Sequence, residues 1–474
     1  MRRLAAAFVG LLAVAAALAG CTSPLATAVT LHNAGDLDGA AREVDSPTVR
    51  DALKGKGGKD RLLDLMEAGK IQQDGAALRE ASETLARASS LSQRFATEAP
   101  RTTLGELLGS AIVNPTVRTY RGTYSERIRI DAYQTLNALL MGKLREAAVY
   151  GRRTGERQTD AKVEQAKLIA AVDHEIGSWK GGAAQSQIDA IRKDKRLAEL
   201  DANPNDAAYL DPFASWIAGI AWCSTGDGQE FRQGVSNIQE AAQMMPQNGV
   251  LRAQLAANPF DQARAGTPQV IVVFENGVAP MYTQVTIPLF TPWTGVSTIP
   301  VQVPQFAVSP VTALRIAPSA GEAVQTELLA DYNRIFGAQY KRMEPEIIFS
   351  TLVMVAVKEG ATVGGYIATN NNSAAQAGVL VAASIYKALT NQCDLRTWRT
   401  PGMAIHIAQL PRPADGVLEL SLVGGATAPQ RVQLPPGQVV LVYVRSCVPT
   451  QLRSICAALW GTPAAAQTPT EPPK

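Results

Sequence analysis

Near Gly266-Thr267-Pro268 the residue pattern changes its period, and that break governs how the chain can fold. Before it, from about Thr27 to Ala263, apolar residues recur at helical spacing. Tyr133, Leu136, Leu140 and Leu144 mark one buried helix face. After it, Val270-Ile271-Val272-Val273-Phe274 is a dense β-branched run, and Val285, Ile287 and Leu289 alternate with Gln284, Thr286 and Pro288. Leu418, Leu420 and Leu422 repeat the alternation, and Pro435-Pro436-Gly437 turns the chain into a strand over Val439 to Val444. Two helices are expected between the early and late strands. One runs through Leu329, Tyr332, Phe336, Tyr340 and Met343, the other from about Ala374 to Leu389. Strands, then helices, then strands in one core predict an α+β domain, an antiparallel sheet with helices packed on it.

The helical half shows turns of one shape, a glycine and a polar residue with alanines several positions on. They are Gly35-Asp36, Gly69-Lys70, Gly142-Lys143 and Gly226-Asp227. The first two glycines are 69 − 35 = 34 residues apart, the length of a tetratricopeptide (TPR) unit. In such units each helix pair needs a stacked neighbour to bury its apolar side. The last unit is the clearest: Trp216-Ile217-Ala218-Gly219 opens a helix, Gly226-Asp227 turns it, and Pro246 stops the return helix. The period drifts later, so irregular TPR-like hairpins or a non-repeating bundle both fit. The expected units are a TPR-like helical domain over 21–264, a β-rich domain over 265–460 and a disordered tail over 461–474. The two domains are expected to separate near Asn258 to Pro268.

Residues 1–20 read as an export signal. Arg2 and Arg3 precede an uncharged apolar run from Leu4 to Leu18, about 15 residues and too short to span a bilayer. The run ends in Leu18-Ala19-Gly20-Cys21, a lipobox-like arrangement, so Cys21 is the expected lipidated residue and anchor. Thr22 follows it, with no Asp to favour inner-membrane retention, so the expected location is the outer membrane, facing the periplasm. Charge excludes one class of partner: 45 Lys+Arg against 42 Asp+Glu gives +3, without the basic excess of a nucleic-acid binder. A chain that is 46% hydrophobic and 18% charged is not disordered over most of its length.

Lipobox, helical half and β-rich half together resemble a family of uncharacterised proteobacterial lipoproteins that pair TPR-like helices with a β-rich C-terminal domain. The most specific stretches are Glu275-Asn276-Gly277-Val278-Ala279-Pro280 and Asp394-Leu395-Arg396-Thr397-Trp398. Cys393 and Leu395 depart from the family's Ala-Asp-Thr-Arg pattern in the second stretch, while Asp394, Arg396 and Trp398 match. The resemblance implies no enzymatic activity. Members often lie beside genes for a lipoprotein activator of penicillin-binding proteins, which implies a role in envelope assembly.

The search for chemistry assigns no catalytic residue, cofactor or metal ligand. His32, His174 and His406 are far apart, and Asp173-His174-Glu175 lacks the partner that would put two ligands on one helix face. Gly55-Lys56-Gly57-Gly58-Lys59 follows a helix and lacks the Ser or Thr of a P-loop. Ser384-Ile385-Tyr386-Lys387 has the Ser-x-x-Lys spacing without its companion motifs. Asp201-Ala202-Asn203-Pro204-Asn205 begins like a calcium loop but has Asp206 where the turn glycine belongs. Glu275, Gly277, Pro280, Asp394, Arg396 and Trp398 are candidates for either an interaction surface or a structural brace. Cys447 and Cys456 flank Val448-Pro449-Thr450 and are a candidate disulfide, with Cys393 a rival partner and Cys223 a buried free thiol. The resulting expectation is a lipid-anchored scaffold that binds envelope-assembly proteins on its concave helical surface. A hydrolase with an unrecognised site and a lipid or glycan carrier are the alternatives.

Overall fold

A computed structural model describes residues 23–55, 58–97, 118–178, 189, 210–291, 295–368 and 392–461. The expected export signal, Cys21, the helix expected from Ala374 to Leu389, the Ser384–Lys387 match, the calcium-loop-like stretch Asp201–Asn205 and the expected tail beyond Gly461 lie outside the described residues.

Antiparallel helix pairs build the first half: α1 (Ala26–Asn33) with α2 (Leu37–Val44), α4 (Arg61–Asp74) with α5 (Leu78–Thr97), α6 (Tyr124–Leu140) with α7 (Leu144–Ser178), and α8 (Pro212–Ser224) with α9 (Gly228–Met244). Short helices α3 (Pro47–Lys54), α10 (Gly249–Ala256) and α11 (Pro259–Arg264) complete it. Side-chain caps set the starts. Asp211 accepts from the Phe213 and Ala214 N–H groups ahead of Pro212, and Thr123 with Glu126 forms a capping box on α6. Within the last pair the helices touch backbone to backbone: a Cβ on Gly234 would lie 2.6 Å from Cys223 Sγ and 2.7 Å from the Gly219 carbonyl.

Three of the four expected turns are in place, at Gly35, Gly142 and Gly226, each with positive φ. Gly69-Lys70 is not a turn. It lies in the middle of α4, where a Cβ on Gly69 would meet Leu85 of α5 at 2.6 Å, so the glycine serves close helix packing. The real turn is at Gly75-Ala76, with Ala76 at φ 64°, and the 34-residue spacing disappears with it.

The second half is β-rich, and the fold is α+β. Five strands form one sheet in the order β11-β10-β1-β7-β6: β1 (Gln269–Asn276), β6 (Glu327–Asp331), β7 (Ala404–Pro411), β10 (Val439–Ser446) and β11 (Arg453–Trp460). The sheet is mixed rather than antiparallel throughout, because β1 and β10 run parallel, with Glu275 opposite Arg445. A second, antiparallel sheet has the order β5-β4-β8-β9: β4 (Ala313–Pro318), β5 (Val324–Gln325), β8 (Val417–Val423) and β9 (Gln430–Gln433). Finally, the hairpin β2 (Met281–Thr291) and β3 (Gly295–Gln305) packs on the long helix α12 (Tyr332–Ala368). Leu329, expected in that helix, belongs to β6.

Strand alternation decides which side chain meets which layer. Val270, Val272 and Phe274 of β1, with Val440, Val442 and Val444 of β10, pack on Leu314, Ile316, Leu418 and Leu420 of the second sheet. The intervening Ile271, Val273, Leu441 and Tyr443 face the helices. The inner helices α4, α6 and α8 are therefore enclosed between the sheet and the outer helices α5, α7 and α9, and every residue of α8 is buried. The secondary structure changes character between Arg264 and Gln269, where the sequence does, but the core does not divide there. One apolar cluster runs from Leu25 and Leu136 through Ile271 and Leu441 to Leu459.

Candidate functional site

Continuing the β1 and β10 alternation by one step puts Glu275 and Arg445 on the helix-facing side, where α4 presents Lys70 and Asp74 one turn apart. All four side chains are fully buried. Lys70 Nζ lies 2.5 Å from Asp74 Oδ1 and 3.1 Å from Glu275 Oε2. Arg445 Nε donates to Asp74 Oδ2 at 3.1 Å, and its other nitrogens donate to the carbonyls of Gly277, Ser446 and Thr400. The Tyr443 hydroxyl accepts from Lys70 at 3.0 Å and sits within 2.8 Å of Asp74 and 2.6 Å of Glu275. Tyr133 of α6 and the Gly402 N–H donate to Glu275 Oε1 at 2.8 and 2.5 Å. Two cations thus meet two carboxylates, as burial demands.

Burial alone would raise the pKa values of Asp74 and Glu275, but Lys70, then His32 at Asp74, and Arg445 outweigh it and hold both below the ordinary carboxylate range. The same bath of charge pushes the Tyr133 and Tyr443 hydroxyls well above theirs, burial first and the neighbouring carboxylates second.

His32 of α1 and Cys447, just past β10, close one end. His32 Nε2 is 2.8 Å from Asp74 Oδ2, and Nδ1 is 2.9 Å from Asn33 Oδ1. Burial lowers the imidazole pKa, but Cys447 and Asp74 outweigh it and raise it to about 9. Burial likewise raises the Cys447 thiol, and Arg445 and His32 bring it below its ordinary value. Cysteine, histidine and acid are thus the three members of a nucleophilic triad, yet they are not arranged as one. Cys447 Sγ lies 3.9 and 4.0 Å from the two ring nitrogens, nearly equidistant, whereas a base needs one nitrogen aimed at the sulfur. Both nitrogens are already engaged, and the group is sealed: His32 is 0% and Cys447 6% exposed.

The two sequence stretches singled out as specific meet here. The Met403 N–H donates to the Asn276 carbonyl at 2.8 Å, beside the Gly402 bond to Glu275. Gly277 has φ +69°, and a Cβ there would meet Met403 at 2.6 Å; Pro280 is buried beyond it. Residues 394–402 form an extended strap across α4 and α6, held by helix carboxylates. Glu126 accepts from the Trp398 N–H at 2.7 Å, and Glu67 from the Arg399 and Thr400 N–H groups at 2.8 and 3.1 Å. Trp398, 1% exposed, sets its edge against Tyr133 and donates its indole N–H to Thr400. Arg396 makes two bonds to Asp394, at 2.7 and 2.6 Å, and reaches Asp60 at 2.5 Å and the Arg118 carbonyl at 2.9 Å. Its geometry is that of a brace tying the strap to the helices.

The disulfide expected between Cys447 and Cys456 is not formed; both thiols are free. Cys456 sits opposite Val442 in the β10–β11 register, five residues short of Cys447. At ~3.3 Å per residue that is about 16 Å, far beyond disulfide reach. The thiols also face opposite ways, Cys456 toward the second sheet and Cys447 toward His32. Cys223 is a buried free thiol, as expected, and Cys393 is free as well.

No family model, curated protein or solved structure matches this chain. The functional reading therefore rests on geometry. Among the described residues no group of three or more His, Cys, Asp or Glu side chains could hold a metal ion, and no helix is long and apolar enough to cross a membrane. A groove of about 450 Å³ opens between α5 and α7, lined by charges of both signs, including Arg153, Asp160 and Lys167. Sequence reasoning missed Lys70, Asp74, Tyr443 and Arg445 as partners of Glu275. The available signal was parity, since Glu275 follows Ile271 and Val273, and Arg445 follows Leu441 and Tyr443, on the same strand face.

Proposed function

We propose that the chain is a lipid-anchored periplasmic scaffold of the bacterial envelope, held by Cys21 and performing no catalysis. The observation that carries this reading is the sealed charge cluster. The described cysteine, histidine and acid groups that come together spend their bonding capacity on one another, joining helices to sheet. A body cross-braced in this way suits presenting surfaces in fixed relation. The partner surface is not the inner helical face, which the sheet and the strap cover. It is the outer face of α5 and α7, where the charge-lined groove and the half-exposed Val163 lie open to another envelope protein.

Cys21→Ser tests the anchor: fatty-acid labelling should disappear and the protein should leave the membrane fraction. A photo-crosslinking residue at Val163 tests the surface and should trap one discrete envelope protein in cells. Cys447→Ala should leave that crosslink intact. Continued labelling of Cys21→Ser, or loss of the crosslink in Cys447→Ala with the fold preserved, would overturn the reading.

A further inference from the structure

One stretch of the chain is chemically unlike the rest. Residues 276–314 contain no Asp, Glu, Lys, Arg or His, in a chain 18% of whose residues are Asp, Glu, Lys or Arg. That stretch holds the whole β2–β3 hairpin. A second charge-free run, Ile347 to Val357, lies on α12, the helix against which the hairpin packs. Together they form an arm with its own small core, separate from the main one: Ile287, Ile299 and Val301 of the hairpin pack with Ile348 and Leu352 of that run, and with Phe336 earlier on α12. The opposite face of the hairpin carries exposed but uncharged groups, Gln284 and Thr286. A protein surface in water is normally rich in charge, so neutrality this complete points to a different surrounding.

The arm's root lies beside the chain's point of entry. Ser23, two residues after Cys21, bonds Asp64 at 2.9 Å. One helix turn away, Asp60 holds Arg396, whose partner Asp394 is next to Cys393, and the Cys393 N–H donates to Gln284 of β2 at 2.9 Å. A lipid chain on Cys21 would bring a bilayer to this end of the molecule. The hairpin edges favour lipid over a second copy. Pro288 of β2 and Pro300 and Pro304 of β3 stand opposite Thr298, Thr286 and Tyr282, so each strand is missing backbone donors at those positions, which weakens strand addition and leaves fewer groups for lipid to strand unpaired.

We propose that the β2–β3 hairpin with its companion stretch of α12 is a membrane-contacting arm, lying in the interface of the phospholipid bilayer to which Cys21 is tethered. The bilayer's placement rests on the lipid-anchor reading; the arm's affinity for lipid does not. The test uses the mature chain bearing Cys21→Ser, free of acyl groups, and flotation with neutral phosphatidylcholine vesicles. The unacylated protein should float with the vesicles. Gln284→Glu with Thr286→Glu adds two charges on an exposed face that water tolerates and lipid does not, and should weaken partitioning at least tenfold. Arg79→Glu, at the opposite end of the α4–α5 pair, should leave flotation unchanged. Circular dichroism checks that each variant is folded. Protein that stays at the bottom of the gradient overturns the proposal, as does flotation indifferent to the charged pair. Self-association through the arm without flotation overturns it too, in favour of a second copy. Failure of Cys21 lipidation would appear only in fatty-acid labelling and leave this result untouched.

Discussion

Replacing Lys70 with methionine keeps the bulk of the side chain and removes one charge from the centre of the molecule. Glu275 would retain Tyr133, Tyr443 and the Gly402 N–H, and Asp74 would retain His32 and Arg445, but one carboxylate would be left without its cation at 0% exposure. Water cannot reach the site to screen the loss, so the cost of breaking a buried pair applies, about 3–5 kcal/mol. Adding Glu275→Gln removes the orphaned charge while preserving an acceptor for Tyr133, and the double variant should recover about 1–3 kcal/mol relative to the sum of the single changes. Urea unfolding followed by both far-ultraviolet circular dichroism and tryptophan fluorescence measures the cycle. The two probes should shift together, because the cluster and the shared core tie helices to sheet. A cost for Lys70→Met below about 1 kcal/mol, or strict additivity in the double variant, would refute the reasoning.

The pH dependence follows from the same groups. Asp74 and Glu275 are held below their ordinary values of 3.8 and 4.5, so their stabilisation is complete above about pH 4.5 and is lost as pH falls through the lower folded values. Glu67 and Asp211 are pushed up, chiefly by burial, so they run the other way and favour the fold slightly as pH drops toward 4.5. His406 on β7 is pushed down to about 4 by burial, so its contribution is lost as pH falls below about 6.5. The urea midpoint should decline from about pH 6.5 and fall more steeply below about 4; a midpoint that rises from pH 6 to 4.5 would contradict the assignment. Along the strap, Trp398→Ala should destabilise by about 3–5 kcal/mol and Arg396→Gln by no more than about 1, since the Arg396 pairs are partly open to water. Comparable losses from the two, measured by the same urea titration, would mean that the charges rather than the indole hold the strap.

Much of the architecture was legible because it is local. The period change near Gly266 marks the passage from helices to strands, and the alternation around Val270 and Leu418 marks faces that do pack. Glu275 and Trp398 stood out as specific residues, and both lie at the centre of the buried joint. Their partners were illegible for a physical reason: the cluster gathers residues 32, 70, 74, 133, 275, 402 and 443–447, and although spacing relates 70 to 74 and parity relates 443 to 445, no spacing rule links one segment to another. Lys70 was masked further by Gly69, since glycine for close helix packing and glycine for a turn look alike in sequence. The Cys447–Cys456 pairing failed because a short loop says nothing about strand register; β11 pairs along β10 and carries Cys456 away from Cys447.

The parallel pairing of β1 with β10 has a consequence for how the protein comes into being. A chain emerging from its amino end delivers Lys70, Asp74 and Glu275 long before Tyr443 and Arg445 arrive. Until then the central sheet lacks a middle strand, and α4 carries charges that have no finished place to be buried. Contacts this distant in sequence slow folding, because the loop must close before the pairing rewards it. The molecule should therefore stay open, with apolar helix faces uncovered, until its final strands emerge. The last cation of the joint, Arg445, follows Lys70 by 445 − 70 = 375 residues, so the buried charges are matched only when nearly the whole chain is present.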